Sequence, residues 1–159
     1  IVGSAHNAQH QTRAFLMDDG VMTDLGTLGG VRSEAFGVNN RREAVGTSQV
    51  SPGVERAFHW FDGTITNLGT LPGGDWSGAS AINDAGDIVG WSTNANGKLR
   101  PVIWRDGQIH ELHGVRDVGN AVDGLAKDLS NGGHMAGTVT VDDGVDWPVQ
   151  RGFVGHWVP

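Results

Sequence analysis

Residues 56–71 read R-A-F-H-W-F-D-G-T-I-T-N-L-G-T-L, and the chain repeats this pattern. Residues 13–28 read R-A-F-L-M-D-D-G-V-M-T-D-L-G-T-L, and ten of the sixteen positions are identical. A fainter third copy begins at Arg100, and a fourth begins at Arg151. Self-similarity at a period of roughly 20–50 residues is typical of repeat architectures. The sequence therefore predicts one repeat domain over residues 1–159, with a partial repeat at 1–30, repeats at 31–77 and 78–119, and a partial repeat at 120–159.

Composition narrows the functional classes. The chain carries a net charge of −7, which argues against a nucleic-acid partner or an anionic membrane surface, since both require a basic patch. No apolar run approaches the roughly 18 residues of a membrane span. Cysteine is absent, which removes disulfides, thiolate metal sites and cysteine nucleophiles. The first residue is Ile and no signal peptide precedes it, so we expect a processed chain or a piece of a longer one.

Each repeat divides into four short apolar runs separated by turn residues, a pattern that predicts β-strands. The second run carries a glycine at a fixed place, and the third begins with the repeated arginine. Asp-Gly pairs join the third run to the fourth, and they supply the positive φ angles of a two-residue hairpin turn. In the turn at residues 39–42, which lacks glycine, we expect asparagine to take the left-handed conformation. The fixed glycines are Gly3, Gly46, Gly90 and Gly137.

Both faces of the predicted hairpins are apolar. Phe58, Trp60 and Ile65 share one face, and Ala57 and Leu68 share the other. A sheet exposed on one side would alternate apolar with polar residues, so these sheets are predicted to pack between neighbours. The first runs consist of small residues, which suits strands that converge near an axis. The fold class is therefore predicted to be all-β: a β-propeller-like array of four-stranded antiparallel blades, with about 3.5 repeats of 43–47 residues.

The strand count follows from where the copies begin and end. The first copy lacks a first strand and the last lacks a fourth, so the expected sheets have three, four, four and three strands. The unpaired edge strands of the incomplete sheets would favour aggregation, and closing the sheets into a ring removes those edges. A single chain could close a small ring, or a homo-oligomer could complete the propeller ring, and we expect the latter.

The repeat also resembles a known family. The pattern G-I-N-x-x-G-x-V-V-G, an Ala-Phe run and D-G-x-M-T-D-L-G-T-L-G-G are similar to the HAF repeats of bacterial extracellular proteins. The match covers nearly the whole chain and is weakest after residue 120. The histidine that names the motif is replaced here by Arg13, Arg56, Arg100 and Arg151. The resemblance implies an exported, propeller-like module, and it carries no defined activity.

The arginine that heads each third run could form a ring that binds an anion. Pairing with a nearby carboxylate is the more common role of such a residue, so we interpret the four arginines as structural. His110 and His113 have the spacing of a zinc motif, but residues three apart on a strand face opposite sides. We therefore expect no zinc site there.

The last copy contains an enlarged loop. Its glycine and arginine are fourteen residues apart, against ten in the other copies, and the insertion carries Asp142, Asp143, Asp146 and Trp147. Carboxylates suit Ca²⁺, and an exposed tryptophan offers a flat surface to a sugar. Trp76 and Trp91 are expected in loop regions of other copies. These six residues are the candidate ligand-binding set, with the three aspartates as the candidate Ca²⁺ site and no other cofactor.

The function that fits best is a non-enzymatic extracellular recognition or structural module, with a glycan or another cell-surface ligand as its partner. The alternative is a small secreted glycosidase-like hydrolase that uses acidic residues at the channel mouth. Buried carboxylates with raised pKa values in one pocket would favour the enzyme. Exposed aromatic side chains on a shallow surface would favour the binding module.

Overall fold

The structure, a computed structural model, describes residues 1–112, 121–141 and 149–156, and within these ranges it contains fourteen β-strands and no helix. Accordingly, no helix of the described residues is long and apolar enough to cross a membrane. The strands are β1 (Val2–His6), β2 (Thr12–Asp18), β3 (Val21–Asp24), β4 (Ser33–Val38), β5 (Ala44–Ser51), β6 (Val54–Phe61), β7 (Thr64–Asn67), β8 (Ser77–Ile82), β9 (Ile88–Thr93), β10 (Leu99–Arg105), β11 (Gln108–Glu111), β12 (Ala121–Leu129), β13 (His134–Val141) and β14 (Val149–His156).

These strands form four antiparallel sheets in chain order. Sheet 1 is β1-β2-β3, sheet 2 is β4-β5-β6-β7, sheet 3 is β8-β9-β10-β11, and sheet 4 is β12-β13-β14. Neighbours in sequence are neighbours in space, so each sheet is a meander whose strands pair locally. The all-β class and the sequence of three, four, four and three strands are confirmed for the described residues.

The tight turns follow the chemistry expected from the sequence. Asp62 and Gly63 join β6 to β7 with φ angles of 46° and 79°. Two consecutive positive φ values define the turn that suits the twist of an antiparallel hairpin. The same geometry recurs at Asp19-Gly20 and Asp106-Gly107, so the Asp-Gly hairpins are confirmed.

The turn between β4 and β5 differs from the expectation. Its left-handed residue is Arg42, with φ 65°, and neither asparagine takes that conformation. Asn39 instead accepts the backbone N–H groups of Arg41 and Glu43 on its Oδ1, each at 3.0 Å. That bonding fixes Asn39 at the start of the turn, so the positive φ falls three residues later. Gly86 holds the equivalent place in the next repeat, with φ 90°.

The sheets stack in succession with an apolar core between each pair. Phe58 is fully buried and Trp60 is 8% exposed, and both pack with Ile65 against the facing side of sheet 1. The opposite face of sheet 2 contributes Ala57 to a second core with sheet 3, which includes Trp104. A third core joins sheets 3 and 4. Sheets 2 and 3 are thus covered on both faces, which confirms that their hairpins lie between neighbouring sheets.

The fixed glycine of the second strand allows the first strand to lie close beside it. A Cβ on Gly46 would overlap the carbonyl oxygen of Glu34, because β4 has a bulge between Ala35 and Gly37. Gly90 stands in the same relation to the carbonyl of Gly78. Only glycine tolerates such an approach of backbone to backbone. Strand pairing therefore explains the glycines at positions 46 and 90.

A serine at the start of the first strand joins each of two sheets to the one before it. Ser77 Oγ accepts the N–H of Ala57 at 3.0 Å and donates to the carbonyl of Gly69 at 2.6 Å. Ser33 makes the same two bonds with Ala14 and Gly26. These hydroxyls satisfy backbone groups that would otherwise be buried without partners, so they fix how one sheet sits on the next.

The first strands of successive sheets also touch, β4 with β8 and β8 with β12. This contact agrees with the small side chains expected where strands converge. Among the described residues the four sheets do not close into a ring or barrel.

Candidate functional site

A shallow cleft lies where the β5–β6 turn meets the segment that leads into β8. Its volume is about 390 Å³, and one wall carries Trp76, whose side chain is among the exposed large hydrophobic groups at 50% exposure. Asp75 is exposed beside it. The cleft thus places an aromatic face next to a carboxylate. Its lining comprises Gly53, Val54, Gly73, Asp75, Trp76, Thr93, Asn94, Ala95 and Gly97.

The backbone beneath Trp76 is held by Thr93. Thr93 Oγ1 accepts the N–H groups of Asp75 and Trp76, at 2.9 and 3.0 Å, and the Thr93 N–H donates to the Trp76 carbonyl at 2.8 Å. Asn94 accepts two backbone N–H groups of the following turn on its Oδ1. Because these bonds fix the cleft backbone, little backbone ordering would oppose binding.

Trp91 has a different setting from the one expected. It lies within strand β9 and is half-buried, so it does not belong to a loop. A Cβ on Gly78, its cross-strand partner, would lie 2.7 Å from the indole ring, which shows that the ring covers this glycine. Trp76 precedes β8 and lines the cleft, whereas Trp91 is not among the residues that line it.

A second cleft, of about 430 Å³, lies between sheets 2 and 3 around His59. Glu43 accepts a hydrogen bond from Arg41 at 2.8 Å, and its other oxygen lies 3.8 Å from His59 Nε2. Burial lowers the pKa of His59, and Glu43 opposes part of that shift. The equivalent cleft between sheets 1 and 2 has Leu16 where this one has His59. The imidazole therefore occupies a position that is apolar in another repeat.

Asp87, the counterpart of Glu43 in sheet 3, is neutralised by a guanidinium. Arg105 donates to both of its oxygens, through Nε at 2.6 Å and through Nη2, and Asn83 donates to it at 3.2 Å. The hydrogen bond from Arg105 is the main cause of a lowered pKa for the Asp87 carboxyl. This arrangement stabilises the ionised carboxylate, which does not suit a general acid.

Polar side chains link the first turns of three successive sheets. Asp84 accepts the backbone N–H and the side-chain amide of Asn40, at 2.9 and 2.8 Å. Asn131 donates to Asp84 at 2.8 Å and accepts the Asp84 N–H at 2.9 Å. These bonds, mainly those from Asn40, lower the pKa of Asp84. Sequence reasoning missed this ladder, although the pairs N-N, N-D and S-N recur at spacings of 44 and 47 residues.

The repeated arginines bond within their own sheets. Arg13 pairs with Asp24 at 3.3 Å, and Arg100 pairs with Glu111. Arg56 donates to the carbonyl of Glu55 at 3.3 Å. Arg151 is exposed on β14. Arg13, Arg56 and Arg100 are thus bonded to groups of their own sheets, and the structural role expected for this position stays a prediction.

The enlarged loop and His113 lie outside the described residues, so the expected set at Asp142, Asp143, Asp146 and Trp147 stays a prediction. In the part of the chain that the structure describes, no group of three or more His, Asp or Glu side chains could hold a metal ion. Trp76 is thus the member of the predicted ligand-binding set that the structure places in an open cleft.

Comparison with known proteins gives no relative for this chain: no family model, no curated protein and no solved structure matches it.

Proposed function

We propose that this chain is a non-enzymatic extracellular recognition module of the HAF-repeat type, with a propeller-like arrangement of its sheets, and that it binds a glycan in the Trp76 cleft. The observation that carries the proposal is the half-exposed indole of Trp76 beside the exposed carboxylate of Asp75. An indole face packs on the apolar C–H face of a pyranose ring, and a carboxylate accepts hydrogen bonds from neighbouring hydroxyls.

The rigidity of the cleft supports a binding role. Thr93 fixes the backbone at Asp75 and Trp76, and the sheets on either side share buried cores. Binding sites commonly lie on loops that a rigid scaffold positions.

The hydrolase alternative receives no support from the two carboxylates whose pKa shifts are defined. Asp84 and Asp87 are both shifted to lower pKa values by hydrogen bonds that favour the charged form. A general acid for glycoside cleavage needs the opposite shift. Asp87 also has both oxygens engaged by Arg105.

A glycan array followed by calorimetric titration of the best-binding oligosaccharide tests the proposal. Trp76→Ala should weaken binding by at least about fivefold, since stacking on an exposed aromatic side chain contributes on the order of 1 kcal/mol or more. Phe36→Ala is the matched control, because Phe36 is 54% exposed and lies outside the cleft lining. Unchanged affinity in Trp76→Ala, or no array binding by the wild type, would exclude this site.

The same array, run with Ca²⁺ and with EDTA, tests whether glycan binding needs a cation. Thermal unfolding with and without EDTA tests the aspartates of the enlarged loop separately. If Asp142, Asp143 and Asp146 hold Ca²⁺, EDTA should lower the melting temperature, because a ligand bound only by the native state stabilises that state. Trp147→Ala tests whether this loop contributes to binding independently of Trp76.

A further inference from the structure

Two histidines face each other across strands β13 and β14 of sheet 4. His134 begins β13 and His156 ends β14, and the strand register pairs them directly. Their ring centroids lie 5.1 Å apart, with an interplanar angle of 62°. Both residues are exposed. The strand pairing therefore holds two imidazoles side by side at the surface.

The equivalent position of sheet 3 shows that this register brings the ends of two side chains together. Asp87 stands three residues before the recurring glycine, as His134 does, and Arg105 stands five residues after the repeated arginine, as His156 does. In sheet 3 the Arg105 Nε lies 2.6 Å from a carboxylate oxygen of Asp87. Two imidazoles cannot form such a pair of opposite charges. Sheet 4 thus keeps the close contact but lacks the electrostatic attraction that explains it in sheet 3.

The separation of the two rings suits two ligands of one metal ion. A Zn–N bond is about 2.0 Å long and a ring nitrogen lies about 1.1 Å from the ring centre, so two imidazoles on one tetrahedral ion have centroids about 5 Å apart. The observed separation of 5.1 Å agrees with that value. Imidazole nitrogen is a preferred ligand of both Zn²⁺ and Cu²⁺.

The turn beside the rings is formed by glycines, which carry no side chain to cover them. A Cβ added at Gly132 would lie 3.3 Å from His134 Nδ1, and one added at Gly133 would lie 3.3 Å from His156 Nε2. One nitrogen of each ring therefore lies beside the same glycine pair. Ser130 fixes the backbone there, since its Oγ accepts the His134 N–H at 3.1 Å and its N–H donates to the His134 carbonyl at 2.9 Å. Little backbone ordering would oppose binding of an ion.

We propose that His134 and His156 form a surface site for a divalent transition-metal ion, Zn²⁺ or Cu²⁺. Among the described residues no third His, Asp or Glu joins them in a larger cluster, so water would fill the remaining coordination positions. With the same two ligands, Cu²⁺ should bind more tightly than Zn²⁺. Ca²⁺ should not bind here, because it takes oxygen ligands.

Calorimetric titration of the full chain with ZnCl₂ and with CuCl₂, after treatment with EDTA and desalting, tests the site. His134→Gln and His156→Gln should each weaken binding by at least about tenfold, since even the loss of a group that only supports a metal ligand costs about 10–100-fold. The matched control combines His6→Gln with His10→Gln, which change two exposed histidines outside sheet 4. This control should bind both ions as the wild type does.

Exchanging the pair for its counterpart in sheet 3 separates metal binding from folding. The double variant His134→Asp with His156→Arg should melt close to the wild type without metal, because exchanges at exposed positions change stability little. Saturating Zn²⁺ should raise the melting temperature of the wild type, since a ligand bound only by the native state stabilises it. It should leave the melting temperature of the double variant unchanged.

The paramagnetism of Cu²⁺ locates the bound ion. At substoichiometric Cu²⁺, the amide resonances of His134, His156 and the glycines at 132 and 133 should broaden before those of the other sheets. Broadening centred elsewhere in the chain would overturn the proposal. So would equal affinity of the wild type and the two single histidine variants, or binding of neither ion by the wild type at millimolar concentration.

Discussion

Gly124 lies against the ring of Pro101, at the position that a serine occupies in the two preceding sheets. A Cβ at this glycine would lie 3.2 Å from Pro101 Cδ and 2.9 Å from Val139 Cγ1. The serines of the earlier sheets accept an alanine N–H from the neighbouring sheet. Proline replaces that alanine here and has no N–H to donate. The loss of the donor and the loss of the hydroxyl therefore occur together at one interface.

The first prediction concerns this pair. Gly124→Ser should destabilise the fold by about 1–3 kcal/mol, because it overfills a packed site and buries a hydroxyl that lacks the usual donor. In the Pro101→Ala background the cost should fall by about 1 kcal/mol, since the serine regains its bond. Urea denaturation of the two single variants and the double variant measures the coupling. Strictly additive free energies would contradict the account of the paired replacement.

The second prediction concerns the core between sheets 1 and 2. Phe58→Ala should cost about 3–5 kcal/mol of unfolding free energy, because Phe58 is fully buried among residues of both sheets. Phe61→Ala is the control on the same strand, since Phe61 is 49% exposed and should change stability by about 0.5 kcal/mol or less. A loss below about 1 kcal/mol for Phe58→Ala in denaturant titration would refute the face assignment.

The third prediction concerns pH. Burial lowers the pKa of His59, and the charged groups around it are Glu43, which raises it, and Arg41, which lowers it. The unfolded chain therefore binds this proton more readily than the folded one. The resulting stability is fully present above the ordinary histidine pKa of about 6.5 and is lost as pH falls below it.

His59→Leu should remove this pH-dependent part of the folding stability, because leucine does not titrate. The position should accept leucine, since Leu16 fills the equivalent place in the first repeat. We expect the variant to lose less stability than the wild type between about pH 7.5 and 5.5, as measured by thermal unfolding at constant ionic strength. His6→Gln, a change at an exposed histidine of β1, should leave the pH profile as in the wild type. If stability changes with pH in the same way in His59→Leu and in the wild type, burial does not lower the pKa of His59.

The fourth prediction concerns association. The outer face of sheet 1 carries Phe15, Met17 and Met22, the counterparts of buried residues in sheet 2, and Met22 is 53% exposed. On sheet 4, Val154 is 81% exposed. A second chain that stacks its sheet 4 on this face of sheet 1 would cover both exposed apolar surfaces.

Light scattering on a size-exclusion column at micromolar concentration should therefore give a mass above that of one chain. Met22→Asp should lower the mass, since it places a charge in the covered face. A wild-type mass near 16.8 kDa would count against the shared ring. Gly3→Ala should leave this association unchanged, because the glycine borders the edge of sheet 1 and the stacking uses its face.

Much of the fold could be predicted because its determinants are local. These determinants are the Asp-Gly turns, the alternation of Phe58, His59 and Trp60, and the repeat itself. Each involves residues near one another in sequence and allows few backbone conformations. Hence the sheets of three, four, four and three strands follow from counting the copies. Arg13 and Arg100 have acidic partners eleven residues further along the chain, and the structural role of the repeated arginines stays a prediction.

Strand periodicity and turn chemistry act over a few residues. The order of the strands and the apolar faces of the hairpins were therefore predictable from the sequence, although Trp91 was expected in a loop and lies in β9. Only the packed structure reveals that the Trp91 ring covers Gly78 and that Asp84 joins the turns of neighbouring sheets. These features depend on contacts between strands or between sheets. Such contacts are set by how closely backbones approach, and that distance is fixed only when the sheets pack together.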